Sequence, residues 1–294
     1  MVGDTTYRME RFAPGIFVVL WSTGFIVARY GTRDAGPLTF LTLRMFFAAA
    51  VLMLFAKFTK TMRLNRQQIG VAAIVGVLMH SLYLGGVFVA ADQGLPAGLM
   101  ALIAGLHPVL TAVAGRVVLL EALGKTQLLG IALGVIGVGV VVIDKTQSAS
   151  SVEISAIGLI AMLLAITGMA TGTLLQRALG TDMPLIAGTA VQYLSAGIVL
   201  SFGAYYNEHW EFTSTTRSWL SLAWAVAVLS IIAVLVMLYM LNRKAAAKVS
   251  SLFFLTPALS AIESAVLFGE RLGVLAVIGF LVALTGVRLT TREN

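Results

Sequence analysis

The sequence predicts an all-α integral membrane protein in which ten transmembrane helices form two inverted five-helix repeats around a central cavity. Three observations carry this prediction. Hydrophobic residues make up 59% of the 294 and charged residues only 11%, apolar stretches of spanning length recur along the chain, and its two halves repeat one pattern. A soluble domain carries roughly 25% charged residues, so this composition excludes a protein whose whole surface faces water.

The rest of the composition narrows the function. Because the chain has no Cys, disulfides, thiolate metal sites and thiol nucleophiles are excluded. The net charge of +7 comes from basic residues in short loops, where they act as topology signals and do not indicate nucleic-acid binding. The chain contains no HExxH motif, no phosphate-binding loop and no Asp-rich metal site. We therefore expect no enzymatic activity, no cofactor, no metal and no nucleic-acid partner.

Ten apolar stretches meet or approach the roughly 20 residues that cross a bilayer. The first, 12–29, follows a polar segment with Arg8 and Arg11 that resembles the start of a signal peptide but lacks a small-residue cleavage site. We interpret it as the first spanning helix. The remaining stretches are 37–56, 68–91, 95–116, 126–143, 154–176, 184–206, 218–241, 248–268 and 272–288.

An internal repeat divides these helices into two sets of five. Residues 94–124 form an apolar helix that contains Pro108, followed by a turn with Glu121. At an offset of 149 positions Pro108 falls on Pro257 and Glu121 on Glu270, and the register continues without a gap through the next helix. The match predicts two units, 1–149 and 150–294. The two Glu residues are expected to fix the geometry of their turns.

The charges of the loops predict how each unit lies in the membrane. With the N-terminus inside, 14 Lys and Arg residues fall on the inner side and 5 on the outer side, which favours cytoplasmic termini. Five helices are an odd number, so the second unit must enter from the opposite face. The inner side takes Arg8, Arg11, Lys57, Lys60, Arg63, Arg66, Arg116, Lys125, Arg177, Arg243, Lys244, Lys248, Arg288 and Arg292, and the outer side takes Arg29, Arg33, Lys145, Arg217 and Arg271.

The loops agree with this inversion. The loop after the second helix, KFTKTMRLNR, is basic, whereas its counterpart after the seventh, YYNEHWEFTSTTRSW, is acidic and aromatic. Inverted repeats of this kind place a substrate site at mid-membrane between the two halves.

With the repeats established, the C-terminal sequence LNRKAAAKVSSLFFLTPALSAIESAVLFGERLGVLAVIGFLVALTGVRL resembles the signature of the EamA branch of the drug/metabolite transporter superfamily. The segment LRMFFAAAVLML around Arg44 is similar to the second helix of the first EamA unit. The first repeat departs from the family pattern, because it has Leu120–Glu121 where Gly-Glu is usual. The resemblance covers nearly the whole chain and extends to YddG-type exporters of aromatic amino acids. It implies a bacterial inner-membrane exporter, either a facilitated carrier or one driven by the proton gradient.

Two helices each carry a pair of residues that we expect to line the cavity. His80 and Tyr83 are three residues apart and share a face of the third helix, and Met100 and His107 are seven apart on the fourth. Rings and a Met side chain suit a bulky, partly apolar solute. The alternative for each His is a structural hydrogen bond to a backbone carbonyl in a neighbouring helix.

Arg44 and Gln192 occupy equivalent positions in apolar runs of the second and seventh helices, at an offset of 148. Because polar groups at membrane depth are costly and usually face a cavity or another helix, we expect Gln192 to bind substrate. Arg44 either extends to the outer headgroups or stays inside the protein, where it lines the cavity or pairs with a carboxylate and takes part in gating or coupling.

Five further polar or aromatic residues are weaker candidates. Trp21, Ser22 and Thr23 lie mid-way along the first helix and Thr167 at a comparable place on the sixth, where Ser and Thr often bond only their own backbone. Glu263 is acidic and well inside a span. It serves in proton coupling if neutral, in ammonium binding if charged, or as a gate.

Two features concern helix packing. Pro108 and Pro257 each remove a backbone hydrogen bond, which creates either a bending point for gating with a carbonyl free to contact substrate, or a static kink. Gly130 and Gly134 allow close helix contact, either inside the protein or at a dimer interface. A monomer and a dimer are therefore both open alternatives.

These features predict an exporter of neutral or aromatic amino acids, or of related small amphipathic metabolites, working by alternating access. The alternatives are a drug or phosphorylated-sugar carrier of the same superfamily, a membrane-embedded lipid-modifying enzyme with converging His80 and His107, and a non-transporting scaffold without a cavity.

Overall fold

The computed structural model describes residues 2–61, 63–118, 124–147, 155–180, 183–242, 255–269 and 273–290, with side chains over the same ranges except 2–14, 118, 145–147 and 238–242. The predicted turns at Glu121 and Glu270 lie outside these ranges. Also outside them are Arg243, Lys244, Lys248, Arg271 and Arg292, together with the side chains of Arg8, Arg11 and Lys145.

The described residues are helical apart from turns and one isolated β-bridge between Ala35 and Phe212. Seven of the helical stretches, α2 to α8 in the numbering that follows, are long and apolar enough to cross a membrane. The stretches are α1 (Val2–Gly31), α2 (Pro37–Phe58), α3 (Arg66–Asp92), α4 (Ala97–Ala104 and His107–Val118), α5 (Lys125–Gln147), α6 (Ala156–Leu179), α7 (Leu185–Glu208), α8 (Thr216–Trp224, Ala225–Ile232 and Ala233–Asn242), α9 (Leu255–Phe268) and α10 (Val274–Thr290).

Three predicted helices differ from the structure. Helix α1 begins at Val2, so the polar segment before residue 12 continues the helix and is not a separate tail. Helix α3 contains a π-helical turn, Val77–Leu82. Helix α4 is interrupted at Gly105 and Leu106, because a proline three residues later cannot donate a hydrogen bond and crowds the carbonyl four residues before it.

The π-helical turns occur at equivalent places in the two repeats. Val77–Leu82 lies in α3 and Ala225–Ile232 in α8, an offset of 148 between their first residues. The amide that follows each turn bonds the carbonyl five residues back: Tyr83 to Leu78 and Ala233 to Val228. One inserted residue in each helix accounts for this pattern, which hydrophobic periodicity does not reveal.

Equivalent helices of the two repeats pack antiparallel. The first residues of α2 meet the end of α7, where Leu38 N–H donates to Glu208 Oε1 at 2.8 Å. Likewise, Gln127 at the start of α5 donates to the carbonyl of Thr290 at the end of α10, at 3.4 Å. In addition, the first helix of each repeat packs on helices of the other repeat. Helix α1 packs on α8 and α9, and α6 packs on α3 and α4. Helix α2 therefore runs opposite to α7, and α5 runs opposite to α10, as the predicted inversion requires.

The core lies between the repeats, and the outer surface is apolar. Large side chains from α2, α3 and α4 are fully buried there, including the stacked pair Phe40 and Phe88 with ring centroids 5.5 Å apart. The outward faces keep large hydrophobic residues, such as Val266 and Val274. An outer surface of this composition suits lipid and not water.

Charges separate to the two ends of the bundle. The basic end, which holds the α2–α3 and α6–α7 loops, carries the described side chains of Lys57, Lys60, Arg63, Arg66, Arg116, Lys125, Arg177 and Arg288. The opposite end, which we call the acidic end, carries Asp34, Asp92, Asp144, Glu208 and Glu211 together with Arg29, Arg33 and Arg217.

A network of polar contacts joins the two repeats at the acidic end. Glu208 of α7 accepts hydrogen bonds from the backbone N–H groups of Leu38 and Thr39, at 2.8 and 2.7 Å, and thus caps the start of α2. Asp34 pairs with Arg217, whose Nε lies 2.6 Å from Asp34 Oδ2. The α1–α2 loop is fixed to the α7–α8 loop by these bonds.

The Arg217 guanidinium lowers the pKa of Asp34, with a smaller effect in the same direction from Thr215. A depressed pKa in the folded state means that the contribution of this ion pair is fully present above the unfolded pKa of Asp34. It is lost only as pH falls through the lower folded value. The connection between these loops therefore holds at neutral and mildly acidic pH.

Glycines bring α5 and α10 into backbone contact. A Cβ on Gly130 would lie 2.6 Å from Gly286 O, and one on Gly137 would meet the backbone of Ala283 and Gly279. The predicted small-residue surface of α5 thus packs inside the protein, against its repeat-equivalent helix.

Replacing Glu208 by Ala should lower the free energy of unfolding in detergent by about 1–2 kcal/mol, because two N–H groups at the start of α2 lose their acceptor. Glu211→Ala is the matched control, since this neighbouring acid contributes its backbone carbonyl, not its side chain, to the junction. Equal thermal unfolding midpoints for the two variants would contradict the capping role.

Gly137→Ala should destabilise the protein by about 1–3 kcal/mol, because the added methyl group has no space against α10. Gly139→Ala, two residues along the same helix, meets nothing within 4 Å and should leave stability unchanged. Thermal unfolding in detergent distinguishes the two, and a neutral Gly137→Ala would show that α5 and α10 do not pack this closely.

Candidate functional site

A cavity of about 180 Å³ lies between the repeats, at the middle of the helices. It is smaller than the roughly 300–1,000 Å³ of drug-sized ligand sites, so it suits a small solute. Five predicted residues line it: Trp21, Arg44, His80, Tyr83 and Gln192. The other lining residues are Gly24, Phe25, Met79, Leu84, Val87, Phe88, Met169, Thr189, Tyr193, Leu229, Val234 and Met237.

The first polar group of the cavity is a hydrogen-bonded chain that begins at His80. Gln192 donates from Nε2 to Gln176 Oε1 at 3.0 Å, so its own Oε1 accepts from His80 Nε2 at 3.3 Å. In a neutral imidazole with its hydrogen on Nε2, Nδ1 is an acceptor. The ring also contacts Tyr193 edge-on, with centroids 4.7 Å apart. His80 is therefore held in one orientation and one tautomer.

Small residues allow the helices around His80 to approach closely. A Cβ on Gly76 of α3 would meet the carbonyl of Gln192 in α7, and one on Gly168 of α6 would lie 2.8 Å from Leu78 O. Because neither position has a side chain, α6 and α7 come near enough to α3 for Gln192 to bond His80 and for Gln176 to bond Gln192.

The second polar group is Arg44, which is 6% exposed. Its Nε donates to Ser230 Oγ at 2.9 Å, and Tyr193 Oη donates to the Ser230 carbonyl at 3.2 Å. Ser230 lies in the π-helical turn of α8. The guanidinium thus stays inside the protein beside the cavity, and of the two predicted alternatives, the extension to the headgroups is wrong.

The remaining wall of the cavity is apolar and aromatic. Trp21 and Phe25 come from α1, and Leu229 and Val234 from α8. Flexible methionine side chains fill the corners and adapt to solutes of different shape. Polar groups from α2, α3 and α7 therefore face an apolar surface from α1 and α8.

A second, smaller cavity of about 30 Å³ adjoins the first and shares Trp21, Phe25, Tyr83 and Met169 with it. It is lined by both predicted prolines, Pro108 and Pro257. Gly105, in the break of α4, faces Pro257, since a Cβ there would lie 3.0 Å from Pro257 Cγ. The two equivalent prolines thus line one small cavity at the repeat interface.

His107 compensates for the break in α4. Pro108 has no N–H to give to the carbonyl of Ala104, and His107 Nδ1 lies 3.2 Å from that oxygen. The carbonyl that the proline leaves is therefore bonded by the preceding side chain. The alternative for His107 placed the bonded carbonyl in a neighbouring helix, whereas the structure places it in the same helix.

Glu263 lies at the contact of α9 with α1. Ser22, which is fully buried, donates to Glu263 Oε1 at 2.6 Å, and Ser260 donates to the Ser22 carbonyl at 3.0 Å. Glu263 Oε2 is buried without a hydrogen-bond partner among the described residues. A carboxyl group in this position faces another helix and not the main cavity.

Three predicted site residues lie elsewhere. Met100 is fully buried in the core, because the break in α4 separates it from His107 and the shared face does not exist. Thr167 is exposed on the outer face of α6 and bonds its own helix at Leu163 O. Thr23 bonds Leu20 O in its own helix and accepts a hydrogen bond from Trp224.

Sequence reasoning missed Tyr193, Ser230 and Gln176. Tyr193 directly follows Gln192, so a search for polar neighbours would have found it. Ser230 and Gln176 carry no comparable signal, because each reaches the site through a π-helical turn or a glycine contact. Across the described residues, no group of three or more His, Asp or Glu side chains could hold a metal ion.

Comparison with known proteins agrees with this architecture. The family model for the EamA-like transporter family matches residues 15–143 and again residues 156–292. A solved crystal structure superposes with a TM-score of 0.66 over 96% of both chains at 16% identity, and so supports the fold.

Bacterial relatives align over most of their length. A protein of Salmonella typhimurium (strain LT2) named "Probable amino-acid metabolite efflux pump" is 26% identical over 95% of this chain and 94% of its own. The Escherichia coli (strain K12) protein of the same name is 25% identical over 92% of this chain and 91% of its own. The E. coli (strain K12) "Uncharacterized inner membrane transporter YedA" is 25% identical over 86% and 81%.

The family model covers well over half of the chain, in two copies, and the predicted resemblance is confirmed. The chain belongs to the EamA-like transporter family.

Proposed function

We propose that this transporter exports neutral or aromatic amino acids, or related small amphipathic metabolites, across the bacterial inner membrane. The observation that carries the proposal is a single cavity, shared by both repeats, in which a buried cation and a fixed imidazole face an aromatic and apolar wall. Two relatives named as amino-acid metabolite efflux pumps support the same substrate class.

The proposed topology has ten spans, with α1, α9 and α10 crossing alongside the seven long helices. Both termini then lie in the cytoplasm, because the basic end carries most of the loop Lys and Arg residues. The acidic end faces the periplasm. Its Glu208 cap and Asp34–Arg217 pair hold the repeats together there, so these contacts must separate when the cavity opens outward.

The mechanism is alternating access, in which the two units rock about the cavity. The prolines belong to this proposal: Pro108 interrupts α4 and meets the Pro257 region across the interface, so a bend there moves one unit against the other. His80, Tyr83, Gln192 and Trp21 contact the solute. Glu263 serves in coupling, since it is a carboxyl group buried between helices of different repeats.

Specific observations weigh against the other candidates. A phosphorylated solute needs several cations, and Arg44 is the one Lys or Arg among the described residues that line the cavity. A lipid-modifying site formed by His80 and His107 requires them to converge near one interface, yet they line different cavities. A non-transporting scaffold would need no cavity, whereas this structure has one between the repeats.

Proteoliposomes with a panel of labelled amino acids test the proposal. Wild-type protein should move at least one neutral or aromatic amino acid. Gln192→Ala and His80→Ala should raise KM by about tenfold, because each removes a hydrogen-bonding group worth roughly 1–2 kcal/mol in the cavity. Thr285→Ala, an exposed α10 residue bonded to its own helix, is the control. Failure of the wild type to move any amino acid would overturn the substrate class.

Glu263→Gln tests the coupling role. Ionising a carboxyl group between packed helices is costly, so uptake or release of its proton requires the α1–α9 contact to rearrange. We expect the variant to retain exchange of labelled for unlabelled solute and to lose accumulation driven by a pH gradient. Glu211→Gln, an exposed acid, should retain both. Unchanged gradient-driven accumulation in Glu263→Gln would remove Glu263 from coupling.

A further inference from the structure

The charge of Arg44 is not balanced by the residues around it. Nothing acidic appears among the described residues that line the cavity, and the described ion pairs leave Arg44 without a carboxylate. A guanidinium has five N–H donors and stays charged in proteins. The structure satisfies one of the five, Nε, through Ser230.

Burying such a cation at mid-membrane costs several kcal/mol of free energy unless it is paired. A buried charge normally pairs or coordinates an ion, and ionisable residues within spans mark substrate or ion pathways. Here the helix that carries Arg44 is capped at its start by Glu208. Ser230 of α8 accepts from the Arg44 side chain, and Tyr193 of α7 in turn bonds the Ser230 carbonyl. The guanidinium is fixed in position, with its remaining donors available to a solute.

The planar fork of a guanidinium suits both carboxylates and phosphates, and charge distinguishes the two at this site. Its parallel N–H groups bind a carboxylate with two hydrogen bonds in one plane. A phosphate dianion would bring a second negative charge, for which the described lining offers no second cation. The monovalent, planar carboxylate is therefore the complement of this site.

The positively charged ammonium group of an amino acid would also have partners in this cavity. His80 Nδ1 is an acceptor, as its tautomer requires, and can receive a hydrogen bond from an ammonium group. The faces of Trp21 and Tyr83 can stabilise the same cation. A zwitterion placed between Arg44 and His80 would direct its side chain toward the apolar wall of α1 and α8.

We propose that Arg44 is the carboxylate-binding residue of the transporter and selects α-amino acids over the corresponding amines. This inference rests on the proposed function, and it assigns Arg44 to solute recognition in addition to gating. Ser230 and Tyr193 are positioning residues for the guanidinium.

Competition against transport of labelled phenylalanine, or of the best neutral amino acid if another is preferred, tests this assignment. Three unlabelled competitors share one ring: phenylalanine, phenylpropionate, which lacks the ammonium group, and phenethylamine, which lacks the carboxylate. In wild-type proteoliposomes phenethylamine should compete at least tenfold more weakly than phenylalanine.

Arg44→Gln should abolish this discrimination by weakening phenylalanine and phenylpropionate while leaving phenethylamine unchanged. Arg44→Lys should restore part of it, since it keeps the charge but loses the paired donors. Arg63→Gln, at an exposed loop position, is the control and should match the wild type. Size-exclusion profiles establish that each variant is folded.

The outcomes separate the two proposals. If the wild type moves no amino acid, the proposed substrate class fails. If it moves amino acids but phenethylamine competes as well as phenylalanine, or Arg44→Gln keeps the wild-type ratio, the carboxylate assignment alone fails. The wild-type ratio decides even if Arg44→Gln does not fold.

Discussion

The absence of water in the hydrocarbon region is the constraint on which this structure depends. Every backbone N–H and C=O there must be satisfied within the protein, and an unbroken α-helix does so by itself. The chain departs from that solution in α3, α4 and α8, and all three departures border the two cavities. At each one a side chain or an altered backbone bond replaces what is lost: Tyr193 donates to the backbone carbonyl of Ser230, and His107 bonds the carbonyl that Pro108 leaves.

Duplication gives the backbone its symmetry, and the side chains break that symmetry. The π-helical turns of α3 and α8 are equivalent, yet His80 in the first corresponds to Val228 in the second at the same offset of 148. Arg44 corresponds to Gln192. As a result, the polar groups gather on α2, α3 and α7, while α1 and α8 remain apolar. A cavity built by two identical backbones can therefore hold a solute in one orientation.

Much of the fold follows from hydropathy and repeat matching, because both depend only on which residues are apolar and in what order. An odd number of helices with opposite loop charges predicts the inversion, and the antiparallel packing of α2 with α7 and of α5 with α10 agrees with it. Arg44 and Gln192 could be predicted to face the same cavity, because they occupy equivalent positions of helices that pair between the repeats. The sequence could not predict that α4 breaks at Gly105. Nor could it predict that the histidine after this break bonds the carbonyl that the proline leaves without a donor.

The candidate site was less predictable, for a physical reason. A helical face is defined by a constant rotation of about 100° per residue, and one inserted or missing hydrogen bond shifts every later residue. The break in α4 removes Met100 from the face of His107, and it lies in the core. Ser230 reaches Arg44 through the π-helical turn of α8, and Gln176 reaches Gln192 through close glycine contacts that appear only in three dimensions.

For the proposed alternating-access mechanism, the contacts between the repeats favour a pivot deep in the bundle. At the acidic end, Glu208 and the Asp34–Arg217 pair lie at the loops, where water can replace each lost hydrogen bond when the loops separate. Deeper in the bundle, Ser81 donates to the carbonyl of Ala196 at 3.2 Å in a buried contact. Breaking that bond would leave two polar groups unsatisfied in a low-dielectric interior. We therefore expect the α3–α7 contact at Ser81, next to His80, to stay closed while the ends open.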